Sequence, residues 1–200
     1  MVRDTITTIA SAKSIVLYVA AGVTIDKTGL SWGLLSKRLL TDNPELHRHG
    51  LIRKDDAEAL TEQLSPLENA SIAYHYYEQL HSSQEDAKAS LQTKLQGLLY
   101  PGSEWESGLL IKNLVRLAVA LAEHDKKVTI TTTNYDTHIE REYEQQAAAG
   151  NFPALKVCVL NKFHHETSGT SGAAGTITLK YLHGRIPPNE DCAGQVAVTT

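Results

Sequence analysis

The stretch from about Thr41 to Ser107 is patterned for helices and almost free of strand signals, yet strand signals lie on both sides of it. That order fits an α/β sheet interrupted by a helical insertion. Ahead of it, Ser14-Ile15-Val16-Leu17-Tyr18-Val19-Ala20 is short, apolar and β-branched and ends in Ala21-Gly22. This is the pattern of a fully buried strand in a parallel sheet. A helix is expected next, with Ser31 as its N-cap and Trp32, Leu35, Leu39 and Leu40 on its apolar face. Helices are predicted over 55–64, 67–80 and 84–99, punctuated by Pro66 and Pro101-Gly102. A further helix over 109–124 has Ser107 as its candidate N-cap and an apolar stripe through Leu110, Leu114, Leu117 and Leu121.

Strand patterning returns over 127–132, 155–160 and 176–182. A helix is expected over 136–149, with Gly150 at its end, and a loose loop over 167–175. A last strand is expected over 195–199. The expected fold is α/β: a Rossmann-like, mostly parallel sheet flanked by helices, with a helical module inserted at about 41–107. A chain that stops on a strand is expected to be the N-terminal part of a longer one, with the last strands beyond residue 200.

Composition narrows the class. With 200 residues, 42% hydrophobic and 21% charged, the chain is an ordinary globular protein and not a disordered or fibrous one. A formal charge of -4 leaves no basic footprint, so direct nucleic-acid binding is not expected. The cysteines, Cys158 and Cys192, form no C-x-x-C pair, so neither a zinc ribbon nor a disulfide framework can be built from them. A reducing, cytoplasmic compartment is expected. The apolar run 15–23 is far shorter than the ~20 residues of a membrane helix, and no membrane partner is expected. Asp4 ahead of that run argues against a signal peptide.

Three segments share one design, an apolar strand ending in small or polar residues: Ala20-Ala21-Gly22-Val23-Thr24, Thr132-Thr133-Asn134-Tyr135-Asp136 and Leu182-His183-Gly184. In open α/β sheets ligands bind at the carboxyl ends of strands. Small residues at the first end let backbone N–H groups approach a pyrophosphate, and Thr24 adds a hydroxyl; tight packing in a turn is the competing explanation. Asn134 can donate and accept, which suits a ribose hydroxyl or a water, although a plain turn residue is equally compatible. Asp136 also reads as a helix N-cap. His183 is a natural general base, although lone histidines are more often structural. His47, His49, His75, His81 and His124 have no partner motif, and His164-His165 lacks a third ligand. No metal site is expected.

Together these segments resemble the sirtuin-like NAD-binding domain, in particular the NAD hydrolase modules at the N-terminus of bacterial antiphage defence proteins. The family's G-A-G-x-S is matched by Ala20-Ala21-Gly22-Val23-Thr24, and the bacterial G-[LI]-P-S-W by Gly29-Leu30-Ser31-Trp32. Its T-T-N-Y-D form is matched by Thr132 to Asp136, and its L-H-G by Leu182-His183-Gly184. Order and spacing agree across nearly the whole chain. The resemblance implies a single NAD-binding domain over 1–200, with NAD, as substrate, held at the strand ends. It makes Asn134 the group that orients a ribose hydroxyl or water, and His183 the general base. It has Ala21, Gly22 and Thr24 line the pyrophosphate, while Asp136 supports the nicotinamide ribose side or the local geometry.

The sequence departs from the family at Ala20, which replaces the first glycine and would weaken binding if that position needs positive φ or a very close backbone approach. It also lacks the four zinc-binding cysteines of the family's deacetylases, which turns the expectation toward NAD cleavage to nicotinamide and ADP-ribose. The resemblance further implies a regulated antiphage effector, as a homo-oligomer or in complex with a sensor or activator. The alternatives are a degenerate NAD or ADP-ribose binding or assembly module, and a protein-directed NAD-dependent transferase or deacylase. An ordinary dehydrogenase is disfavoured, because no G-x-G-x-x-G follows the first strand.

Overall fold

A computed structural model of the chain describes residues 8–102, 106–150, 152–159 and 174–188. The protein is α/β, with a four-stranded, all-parallel, Rossmann-like sheet flanked by helices. The strands are β1 (Ser14–Val19), β2 (Lys127–Thr132), β3 (Leu155–Val159) and β4 (Ile177–Tyr181), in the spatial order β1-β2-β4-β3. Between β1 and β2 run a 3-10 turn (Ala21–Val23), α1 (Ile25–Thr28), α2 (Trp32–Thr41), α3 (Pro44–Arg48), α4 (Lys54–Gln63), α5 (Pro66–Leu80), α6 (Gln84–Leu99) and α7 (Leu109–Glu123). Between β2 and β3 lies α8 (His138–Ala147).

The chain divides into two compact units, residues 1–27 with 107–185 and residues 28–106 with 186–200. The second therefore begins at Thr28, well ahead of position 41, and takes in α2. Its helices start where the sequence supplies caps. Ser31 accepts from Leu34 N–H, and Ser65 and Glu68 form a reciprocal capping box ahead of Leu67. Ser83 caps α6 in the same way, by accepting from Asp86 N–H. The short α3, not anticipated from sequence, is built on Asn43 as cap and Pro44 in its first turn. The core of this unit holds Leu35, Leu39, Leu40, Leu46 and Tyr77. The Tyr77 hydroxyl accepts from Asn43 Nδ2 at 2.6 Å, and burial pushes its pKa up to about 12.

In the sheet unit, β2 alternates strictly, with Val128, Ile130 and Thr132 buried. α7 packs on β2 and β4 and lies beside α8. Three expectations fail here. β1 is not a fully buried strand: among the described residues it is the outermost strand, and Val16 and Tyr18 are 64% and 65% exposed. The face α7 buries is Ile111, Val115, Ala118, Val119 and Ala122, whereas Leu110 and Leu117 are exposed. Small and β-branched side chains let a helix sit close on a sheet, and the leucines fall on its flank. Ser107 does not cap α7; the N-cap is Gly108, and the Asp26 carboxylate takes the N–H of Leu110 at 3.1 Å. A methyl group at Gly108 would collide with that carboxylate.

The helix expected from 136 starts at His138. The expected strand over 195–199, the pair His164-His165, Cys192 and most of the 167–175 loop lie outside the described residues. No helix among the described residues is long and apolar enough to cross a membrane.

Candidate functional site

Parallel pairing puts the carboxyl ends of all strands at one edge of the sheet, and the order β1-β2-β4 makes the three motif-bearing strands neighbours. The register is flush. Val19 pairs with Thr132, and Thr132 with Tyr181. One step on, Thr133 N–H donates to Val19 O at 3.3 Å and Leu182 N–H to Thr132 O at 2.9 Å. The segments carrying Ala20 to Thr24, Asn134 to Asp136, and His183 therefore leave the sheet side by side.

At the first end, Ala20 has φ -139° and ψ -168°, extended backbone that alanine adopts without strain. Ala21–Val23 then make the 3-10 turn, in which Val23 N–H donates to Ala20 O and Thr24 N–H to Ala21 O. The space a side chain at Gly22 would occupy is open. Thr24 is buried, and its hydroxyl donates to Ala21 O at 3.1 Å. That bond directs its proton into the turn rather than toward a ligand. Gly29 has φ +64°, and Ser31 serves as the α2 cap. Both belong to the helical unit.

At the second end, the Thr132 hydroxyl accepts from Asn134 N–H at 3.0 Å and turns the chain out of β2. Asn134 is 7% exposed, and its Nδ2 has no hydrogen-bond partner among the described residues. A buried amide donor left open at a strand end is what a ligand or water would satisfy. Asp136 is buried, and its Oδ1 accepts from His138 N–H at 3.2 Å. The N-cap itself is Thr137, whose side chain makes no capping bond. Burial pushes the Asp136 carboxyl up to about 6, against the pull of its backbone donors and the nearby Asn134 side chain.

At the third end, His183 is exposed and follows directly on β4. Its ring lies 6.5 Å from that of Tyr135, tilted by 41°. Gly184 has φ +104°, a left-handed turn that no β-carbon tolerates well, and this suits the glycine of the triplet.

Sequence reading passed over a second polar layer beneath these groups. His138 is fully buried in the first turn of α8. Glu140, also buried, accepts from the Tyr181 hydroxyl at 2.6 Å and from Arg185 at 2.9 and 3.0 Å. No spacing rule could have joined Glu140 to Arg185, which are 45 residues apart. Among the described residues no three His, Cys, Asp or Glu side chains are grouped to hold a metal ion. No protein-family model matches this chain, and no curated protein matches it in sequence.

Proposed function

We propose that this chain hydrolyses NAD to nicotinamide and ADP-ribose at the carboxyl edge of β1, β2 and β4. One observation above others supports the reading: three segments far apart in sequence, each resembling a sirtuin-like motif, emerge flush from three adjacent strands. The groups present fit the substrate. Asn134 has an unused buried donor for a ribose hydroxyl or a water, and open space lies over Gly22 beside the first strand end.

In this mechanism the bond from C1′ of the ribose to the nicotinamide nitrogen breaks, and a water oxygen bonds to C1′. The pyridinium leaves as neutral nicotinamide, so no acid is required. Positive charge gathers on the ribose as in other glycosidic cleavages. His183, exposed at its turn, takes the proton from the water or from the ribose hydroxyl that assists it, and releases that proton to solvent. Asn134 holds the oxygen that reacts. Asp136 supports the ribose side. The strain at Ala20 that would favour a degenerate binding module is absent from this backbone. From the same resemblance we infer a cytoplasmic, regulated antiphage effector that is oligomeric or is held by a sensor or activator protein.

The test is nicotinamide release from NAD, with Asn134→Ala and His183→Ala alongside. General acid–base groups contribute on the order of 10²–10⁴-fold, so each variant should fall by about that factor. Circular dichroism should be unchanged for His183→Ala, because the imidazole is exposed. Wild-type rates in the His183 variant would remove it from the mechanism. Nicotinamide release without free ADP-ribose would indicate transfer to an acceptor instead.

A further inference from the structure

The turn that carries His183 is held at both ends by one carboxylate. Tyr181, the last residue of β4, is fully buried and donates its hydroxyl to Glu140 Oε1 at 2.6 Å. On the far side of the turn, Arg185 donates from Nε to the same oxygen at 2.9 Å and from Nη2 to Oε2 at 3.0 Å. The planar guanidinium fork fits a carboxylate in one orientation only. Leu182 N–H adds a third tie, to Thr132 O on β2. Three residues, Leu182, His183 and Gly184, are thus spanned between fixed points, and Gly184 supplies the left-handed backbone that lets the span close.

The carboxylate sits on α8, whose N-cap Thr137 follows directly on Asn134-Tyr135-Asp136. One rigid helix therefore sets both the segment with the open asparagine donor and, through Glu140, the turn with the histidine. A buried ion pair adds little stability over apolar side chains of the same volume. Its place at the base of this turn is better explained by orientation than by stability.

We propose that Glu140, gripped by Arg185 and Tyr181, is a positioning residue that fixes His183 relative to Asn134. Its consequence for turnover rests on the NAD-cleaving reading; its consequence for the turn does not. In Glu140→Gln the second oxygen becomes an NH₂ facing the Arg185 donors, so the fork is lost while the volume is kept.

Misplacing a reacting group by about 1 Å costs on the order of 10²-fold. Glu140→Gln should lower kcat for nicotinamide release by about 10–100-fold and change KM by less than about threefold. Arg185→Lys, with a single point contact, should fall between wild type and Glu140→Gln. The double variant Glu140→Met/Arg185→Met removes both charges together and guards against simple unfolding. It should melt near the wild-type temperature and remain slow. A folded double variant with wild-type kcat overturns the proposal.

Amide hydrogen exchange gives a readout free of turnover. Exchange at Leu182, whose N–H donates to Thr132 O, should rise at least about tenfold in Glu140→Gln, while α7 stays protected. Unchanged exchange there overturns the grip, whatever the turnover. If the wild type releases no nicotinamide, the functional reading fails and exchange alone decides the proposal.

Discussion

α7 and α8 lie beside one another in the sheet unit and are built on opposite terms. α7 buries Ile111, Val115, Ala118, Val119 and Ala122, all apolar. α8 buries Ile139 and Tyr143 but also His138, Glu140 and Glu142. Glu142 takes one bond from Gln146, and its second oxygen has no partner among the described residues. Desolvating ionisable groups is costly, and a helix chosen for stability alone would carry residues like those of α7. The difference follows position. α8 begins at the carboxyl edge, immediately after Asn134 and Asp136, whereas α7 feeds the opposite end of β2. Polar cost is concentrated where the fold meets the proposed site.

Each helix can be perturbed to break that contrast. The largest effect is expected from Ile111→Ala in α7, which should lose about 2–5 kcal/mol in urea unfolding, as buried isoleucines do. Nicotinamide release per folded molecule should stay at the wild-type level. A specific loss of chemistry would show that α7 is not merely a scaffold.

Asp136→Asn should behave in the opposite way. The folded pKa, raised to about 6 from 3.8, means the native state binds a proton more tightly than the unfolded chain. That contribution is fully present below pH ~4 and is lost as pH rises toward 6, a decline of about 3 kcal/mol at 1.4 kcal/mol per unit. The decline should be seen in the wild type and be missing from the asparagine variant. At neutral pH the variant should be at least as stable as the wild type and slower in cleavage. Parallel stability curves for the two proteins between pH 4 and 6 would contradict the burial of a titrating carboxyl.

Asp26→Ala removes only the acceptor for Leu110 N–H at the start of α7 and should cost about 1 kcal/mol. A thermal melt checks it, with cleavage per folded molecule unaffected.

The contrast also shows which parts of this structure could be read in advance. The placement of Asn134 and His183 at strand ends was legible because each motif is local, a strand end followed by its own polar residues. The parallel sheet was legible from β-branched runs separated by helical patterning. The exposure of β1 was not, since an outermost strand of a parallel sheet and an inner one share the same apolar composition. The face of α7 was not either: Leu110, Leu114, Leu117 and Leu121 satisfy helical spacing as well as Ile111, Val115, Ala118 and Ala122 do. Contact with the sheet selects the smaller set. The grip of Arg185 on Glu140 joins two elements across 45 residues, and no periodicity encodes such a pair.

The pairing of β1 with β2 has a consequence in time. Ser14 must find Lys127 across the whole helical segment, and long loops close slowly. Until Lys127 has been synthesised, β1 has no partner strand. The helices of the second unit pack among themselves, whereas the sheet cannot pair until strands far apart in the chain exist. The segments carrying Asn134 and His183 then come side by side only when β4 joins β2. A nascent chain that has not yet reached β4 therefore carries two of the three strand ends but not the turn that bears His183.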